Sequence, residues 1–162
     1  MGDELLDPIR RHIEGANAHD PIAFAAPYSD DATNHGRRVG KEGLRRVAES
    51  LLAAFPDLRF EMGATVAQGD TVMCEITLIG THLGAPALPV LAGALVGAPP
   101  TARAVRQRQM HLFRVRAGEI VEHRAVRDDL GLLEQLGLMP AGVERGADIS
   151  RLEEPPLAGP SH

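Results

Sequence analysis

The sequence predicts an α+β fold in which N-terminal helices pack on one side of a curved antiparallel sheet. Three observations lead there. Apolar residues recur with helical spacing through the first third of the chain. After Pro56 the period changes to two and stays so through four long strand-like segments. A short helical pattern then ends at Gly137. Helices gathered on one face of an antiparallel sheet form a standard two-layer architecture. A strongly curved sheet closed by helices on one side is a cone, and a cone has a cavity.

Each element has its own signal. Asp7-Pro8 reads as an N-cap followed by proline at the first helical position. Ile9, Ile13 and Ala16 then share one face of a helix ending near Asn17. Asp20-Pro21 repeats the start signal for a short helix through Ala26. Asn34 and His35 end a short strand before a glycine. Gly40 to Phe55 is the clearest helix, with Leu44, Val47, Ala48, Leu51, Leu52 and Phe55 at i, i+3, i+4 and i+7 spacing. Pro56 stops it.

Leu58, Phe60, Met62, Ala64 and Val66 then alternate with polar residues as a half-exposed strand. A second strand runs from Thr71 to His82 with Val72, Cys74, Ile76 and Leu78 on one face. Arg103 to Arg116 and Glu119 to Arg127 form the third and fourth strands, joined at Ala117-Gly118. Asp128 caps a last helix that turns Leu132, Leu133 and Leu136 inward. Residues 1–138 therefore read as one domain. Residues 139–162, rich in proline, glycine and charge, read as a tail.

Composition narrows the function. The chain has 162 residues, 17 Lys+Arg against 22 Asp+Glu, and a net charge of −5, which disfavours a general grip on nucleic acid. Four Phe, one Tyr and no Trp leave little for base stacking. The longest uncharged run, residues 83–102, contains Pro86, Pro89, Pro99 and Pro100, so it reads as an apolar loop and not a membrane span. One cysteine, Cys74, cannot form an internal disulfide, which fits a reducing cytoplasm.

The third strand carries the chemistry. Its odd positions are Val105, Gln107, Gln109, His111, Phe113 and Val115, and its even positions include Arg106, Arg108 and Arg114. Gln107, Gln109 and His111 in succession on an inward face need partners, water or a ligand. The fourth strand carries His123. A three-residue turn would oppose it to His111, whereas a two-residue turn would oppose His111 to Arg124 and flip the strand. Imidazoles near a polar cavity are suited to general acid–base work. No closely spaced zinc-type ligand set, P-loop, nucleophile elbow or dinucleotide fingerprint is present. The expectation is a pocket that works without metal or cofactor.

Three segments resemble one family. They are Phe55-Pro56-Asp57-Leu58-Arg59-Phe60; Gly80-Thr81-His82 with Pro99-Pro100-Thr101; and Phe113-Arg114-Val115 through Gly118-Glu119-Ile120-Val121-Glu122-His123 to Gly131-Leu132-Leu133-Glu134-Gln135-Leu136-Gly137. Together they are similar to the SnoaL-like polyketide cyclases of the nuclear-transport-factor-two-like superfamily, from about Ile9 to Gly137. The resemblance implies a cone, a homodimer or higher homo-oligomer packed through the sheet, and an intramolecular aldol closure without metal or cofactor. The family's histidine matches His111, which favours the three-residue turn, and a cavity asparagine matches Asn34. The family's acid–base aspartate matches Ala125, so the carboxylate is absent. Relatives with a similar Ala-Val-Arg-Asp-Asp stretch resemble tailoring hydroxylases, and other superfamily members open epoxides with carboxylates and an arginine. Asp128 and Arg127 remain nearby.

The reading is a tailoring enzyme acting on a hydrophobic, polyketide-like molecule by cyclisation, hydration, dehydration or hydroxylation. His111, Asp128 and His123 are the candidate catalytic residues. Asn34, Ile76, Leu78, His82, Gln107, Gln109 and Phe113 are the candidate substrate contacts. Neither nucleic acid nor membrane is an expected partner. The loop 83–102 is either a lid or a contact with a partner subunit. The rival reading is a cone that binds a small molecule or a protein without catalysing anything, having lost the carboxylate at position 125.

Overall fold

In a computed structural model, which describes residues 2–139, the chain forms α1 (Gly2–Asn17), α2 (Pro21–Ala25), β1 (Tyr28–Asn34), β2 (Arg37–Arg38) and α3 (Gly40–Ala54). These are followed by β3 (Arg59–Gln68), β4 (Thr71–Thr81), β5 (Ala104–Arg116), β6 (Glu119–Arg127) and α4 (Asp129–Leu136). One six-stranded sheet has the order β2-β1-β6-β5-β4-β3. Adjacent strands are antiparallel except β1 and β6, which run parallel. The mixed α+β class is the one the sequence predicts. The tail expected over residues 139–162 lies, after Met139, outside the described residues.

The helices follow their apolar spacing. On α1, Ile9, His12, Ile13 and Ala16 are buried together. The expected start at Asp7-Pro8 is displaced: α1 begins at Gly2 and carries Pro8 inside it. Asp7 does not act as the cap, because its carboxylate accepts from Arg11 Nε one turn on, at 3.0 Å. Asp20 does cap α2, accepting from the N–H groups of Ile22 and Ala23 at 2.9 and 3.0 Å. A Cβ at Gly15 would collide with the backbone of Ala23 and Phe24. The missing side chain is therefore what lets α2 lie directly on α1. Asp128 caps α4 through the N–H of Gly131 at 2.9 Å.

Two strands depart from simple alternation. β3 shifts register between Met62 and Thr65. Before the shift Phe60 points inward; after it Thr65 opposes the buried Cys74, and Val66 turns outward to 70 % exposure. The expectation that Ala64 and Val66 continue the inner face is thereby corrected: one extra residue inverts the parity.

The β5–β6 hairpin combines features of both turn alternatives. Arg116 opposes Glu119, so Ala117 and Gly118 form a two-residue turn, with φ of 49° and 78° as a primed turn requires. The register then shifts between Arg114 and Val115, and Val121 is the extra residue on β6. That bulge restores the parity which the turn inverts. His111 consequently opposes Ala125, Phe113 opposes His123 and Gln109 opposes Arg127. The favoured three-residue turn is not formed, yet His123 still faces inward.

The loop 83–102 hangs from two bonds between His82 and its partners, His82 N–H to Arg103 O at 3.0 Å and Ala102 N–H to His82 O at 2.9 Å. It folds back on its own domain. Val90, Leu91 and Leu95 join the buried core, and Leu88 N–H donates to Ser50 Oγ at 3.1 Å. Among the described residues no helix is long and apolar enough to cross a membrane.

Candidate active site

Strand alternation turns Gln107, Gln109, His111 and Phe113 to the inner face of β5, and the Val121 bulge adds His123 from β6. All five are buried; His111 is 5 % exposed. Such a run of polar groups in a core must be satisfied internally, and it is. His111 Nε2 lies 2.7 Å from Gln109 Oε1. Gln109 Nε2 donates to Gln107 Oε1 at 2.8 Å, and Gln107 Nε2 donates to Asp129 Oδ1 at 3.0 Å.

In the other direction the network crosses the sheet. His111 Nδ1 lies 2.8 Å from His123 Nε2. His123 Nδ1 lies 3.0 Å from Tyr28 Oη, and Tyr28 Oη lies 3.4 Å from His12 Nε2. His12 Nδ1 ends on the carbonyl of Phe24, at 3.1 Å. Phe113 stacks on His123 with centroids 4.3 Å apart, which holds the imidazole plane. Parallel pairing of β1 with β6 is what brings Tyr28 to His123.

The Asp129 end sets the direction of these bonds. A carboxylate on Asp129 only accepts, so Gln107 must present its NH₂ there and Gln109 must present its NH₂ to Gln107. Gln109 Oε1 then accepts from His111, which therefore carries its proton on Nε2. Desolvation holds the imidazoles neutral. It lowers His12 to about 4 and His111 to about 3, the latter helped by repulsion from His12, Arg127 and His35. His123 falls well below its ordinary value for the same reason, reinforced by His111 and His12. Burial raises the Tyr28 hydroxyl well above its ordinary range and pushes the Cys74 thiol up to about 12, which makes Cys74 a packing residue and a poor nucleophile.

The other expected residues are distributed around this line. Ile76 and Leu78 are fully buried on the inner face of β4. Asn34 is the register partner of His123, and its Oδ1 is buried with no hydrogen-bond partner among the described residues. His82 accepts from Thr101 N–H through Nδ1 at 3.3 Å, which leaves Nε2 as the protonated nitrogen, buried and unpartnered among those residues. Among the described residues no side-chain hydrogen bond joins His82 or Asn34 to the His111 network. Asp128 caps α4, and it is its neighbour Asp129 that reaches Gln107.

Sequence reasoning passed over His12, Tyr28 and Asp129. His12 carried a usable signal, since it falls between Ile9 and Ala16 on the buried helical face. Tyr28 carried none, because its position depends on a parallel pairing across the chain. An open concavity of about 720 Å³ lies elsewhere, between the start of α1 and the β3–β4 and β5–β6 turns, lined by Leu5, Ala67 and Val115 among others. It contains no imidazole and has no part in this chemistry.

A family model described as SnoaL-like polyketide cyclase matches residues 7–136. The nogalonic acid methyl ester cyclase of Streptomyces nogalater is 33 % identical over 112 residues, covering 68 % of this chain and 77 % of that one. The aklanonic acid methyl ester cyclase DnrD of Streptomyces peucetius is 38 % identical over 140 residues, covering 82 % and 90 %. Among solved structures, AclR of Streptomyces galilaeus, described as a proposed hydroxylase, superposes with a TM-score of 0.70 at 26 % identity, over 85 % of this chain and 98 % of that one. IdmH of Streptomyces antibioticus, a proposed polyketide cyclase, gives a TM-score of 0.67 at 28 % identity, over 82 % and 98 %.

Proposed function

The chain belongs to the SnoaL-like polyketide cyclase family, and from that premise we propose that it closes a ring in an aromatic polyketide ester by an intramolecular aldol reaction, without metal or cofactor. The observation that carries this reading is the buried His111–His123 pair on the inward face of the β5–β6 hairpin. His111 is the acid–base group and His123 fixes its ring. Once substrate displaces Gln109 and the His111 proton stands on Nδ1, a C–H proton of the ester's activated carbon goes to the free Nε2, the carbanion adds to a carbonyl of the same molecule, and the resulting alkoxide takes that proton back. Nothing is gained or lost overall, so the product is an isomer of the substrate.

The remaining roles follow from position. Gln109 and Gln107 exchange their mutual bonds for substrate carbonyls. Ile76, Leu78 and Phe113 supply apolar wall. His82 offers an Nε2–H donor and Asn34 a carbonyl acceptor, both buried and unpaired among the described residues, so a polar ligand gains bonds there without displacing any. We read Asp128 as the cap that holds α4, and hence Asp129, in place. We read the loop 83–102, which packs Val90, Leu91 and Leu95 on the core, as a lid and not as a contact with a partner subunit.

The test is chromatography of a polyketide methyl ester of the nogalonic or aklanonic type after incubation with the protein. The expected result is a new peak of unchanged mass. Ala125→Asp places a carboxylate opposite His111 and is expected to raise the rate at least tenfold. Absence of any isomer with both proteins, alongside intact ligand binding, favours the binding-module reading that Ala125 suggests.

We also propose a cytoplasmic homodimer joined through the outer sheet face. Met73, Met110, Val66 and Val126 are exposed there, and Met110 opposes Val126 across the β5–β6 ladder. A cluster of this kind marks an interaction surface. Light scattering on the wild type is expected to give the mass of a dimer, and the double substitution Met110→Lys with Val126→Lys that of a monomer. A monomeric wild type would overturn the assignment.

A further inference from the structure

Five junctions in the buried network share four protons. From α2 to β5 they are Phe24 O with His12 Nδ1, His12 Nε2 with Tyr28 Oη, Tyr28 Oη with His123 Nδ1, His123 Nε2 with His111 Nδ1, and His111 Nε2 with Gln109 Oε1. Both terminal atoms are carbonyl oxygens, which only accept. Three neutral imidazoles and one phenol bring four protons, so one junction is always short of a donor. With Asp129 orienting the two glutamines, the protons fill from the β5 end. The vacancy then falls between Tyr28 Oη and His12 Nε2. That junction is the longest of the five, at 3.4 Å.

We propose that His12 and Tyr28 turn this network into a proton relay, in which the proton that His111 takes from the substrate is held at His12 and then returned. The inference rests on the cyclase reading and deepens it: it supplies a proton store where position 125 has no carboxylate.

The steps balance. Turning three of the four protons, those of His111, His123 and Tyr28, while His12 keeps its own on Nδ1, moves the vacancy to His111 Nε2, which becomes a lone pair once substrate displaces Gln109. The substrate C–H breaks, its proton forms N–H at Nε2, and its electron pair stays on carbon. His111 passes its Nδ1 proton to His123 Nε2. His123 passes its Nδ1 proton to Tyr28 Oη, whose own proton moves to His12 Nε2. All five junctions are then filled and the positive charge sits on His12. The alkoxide later takes the Nε2 proton of His111, and the sequence runs backwards to neutral His12.

The surroundings of His12 suit that charge better than those of the other two imidazoles. The Phe24 carbonyl faces its Nδ1, and the Phe24 ring lies 4.1 Å away with Tyr28 at 5.2 Å and Phe113 at 5.9 Å. Aromatic faces attract a cation, and since His123 has the Phe113 ring as near, at 4.3 Å, what sets His12 apart is the Phe24 carbonyl. Arg127 and His35 press instead on His111 and His123. From β4 only the neutral Cys74 thiol bears on Tyr28. On α1 itself, Arg11 is exposed and paired with Asp7.

Two measurements on the full chain decide the matter. In the first, imidazole nitrogens of ¹⁵N-histidine protein are followed by NMR from pH 7 downward while the protein remains folded. His12 is expected to move toward imidazolium before His111 and His123; earlier charging of either of those overturns the relay. This arm needs no turnover, so it stands even if the cyclase reading fails. In the second, Tyr28→Phe removes one hydroxyl and leaves the ring packing. Its kcat on the polyketide ester is expected to fall at least tenfold with KM within twofold, and the curved dependence of kcat on solvent deuterium fraction to become linear. His12→Gln is expected to give the same loss. Wild-type kcat and deuterium dependence in Tyr28→Phe would overturn the relay while leaving the cyclase reading intact.

Discussion

Lowering the pH from 7 to 5 is expected to take about 4 kcal/mol from the stability of the folded protein through His12 and His111 alone. The sign follows from where the protons bind. Both imidazoles have an ordinary value of 6.5, and burial lowers them to about 4 and about 3 in the folded state. Between those values and 6.5 the unfolded chain binds protons that the folded chain refuses, so acid favours unfolding. Each unit of pH in that window costs about 1.4 kcal/mol per imidazole, or about 2 kcal/mol each at pH 5. His123, lowered in the same direction by burial, adds to the loss. Well above pH 6.5 these groups contribute no pH dependence.

Typical domains have about 5–15 kcal/mol in total, so the loss is a large fraction of it. Carboxylates cannot mimic this pattern. Asp57, held low by hydrogen bonds from Thr81, responds only as pH falls below its ordinary value of 3.8. Denaturant midpoints measured at pH 7, 6 and 5 test the prediction. A midpoint that stays constant to pH 5 would mean that the imidazoles are paired to an acid in the folded state, contrary to the network described above.

His111→Gln is expected to lower kcat by about 10²–10³-fold, the scale of a lost general acid–base group. KM is expected to change little. Glutamine keeps one donor and one acceptor near the positions of Nδ1 and Nε2 but cannot gain and lose a proton. Stability is expected to change by no more than about 1–2 kcal/mol, because the buried neighbours His123 and Gln109 keep a polar partner. The acid sensitivity of stability should also weaken, since one depressed imidazole is gone. Steady-state kinetics and denaturant melts on the same preparation check both halves. Undiminished turnover would remove His111 from the mechanism and turn attention to the unpaired donor of His82.

Much of the fold was legible in residue order because its signals are local. Asp20-Pro21 starts α2, and the 3.6-residue spacing from Leu44 to Leu51 makes the buried side of α3. Strict alternation on β4 and β5 sends Cys74, Ile76, Gln109 and His111 inward. Where the local signal failed, a single residue had inverted parity. At Met62–Thr65 the bulge turns Val66 to solvent. At Val121 a bulge undoes the inversion made by the two-residue turn, and His123 regains the interior. Bulges of this kind leave no periodic trace, because they are properties of a pair of strands and not of one.

The amino-acid order alone determined which residues of β5 face the interior, that position 125 holds alanine and not an acid, and that the chain has the pattern of SnoaL-like cyclases. The tertiary structure alone decided how the imidazoles connect. Tyr28 and His123 are 95 residues apart, and they meet only because β1 pairs in parallel with β6. His12 reaches the same line because α1 lays its buried face against the Phe24 and Phe113 rings. Periodicity fixes the side of an element on which a residue stands. The hydrogen bond it makes there depends on strand register and on close approach between elements, which arise only when distant parts of the chain pack together.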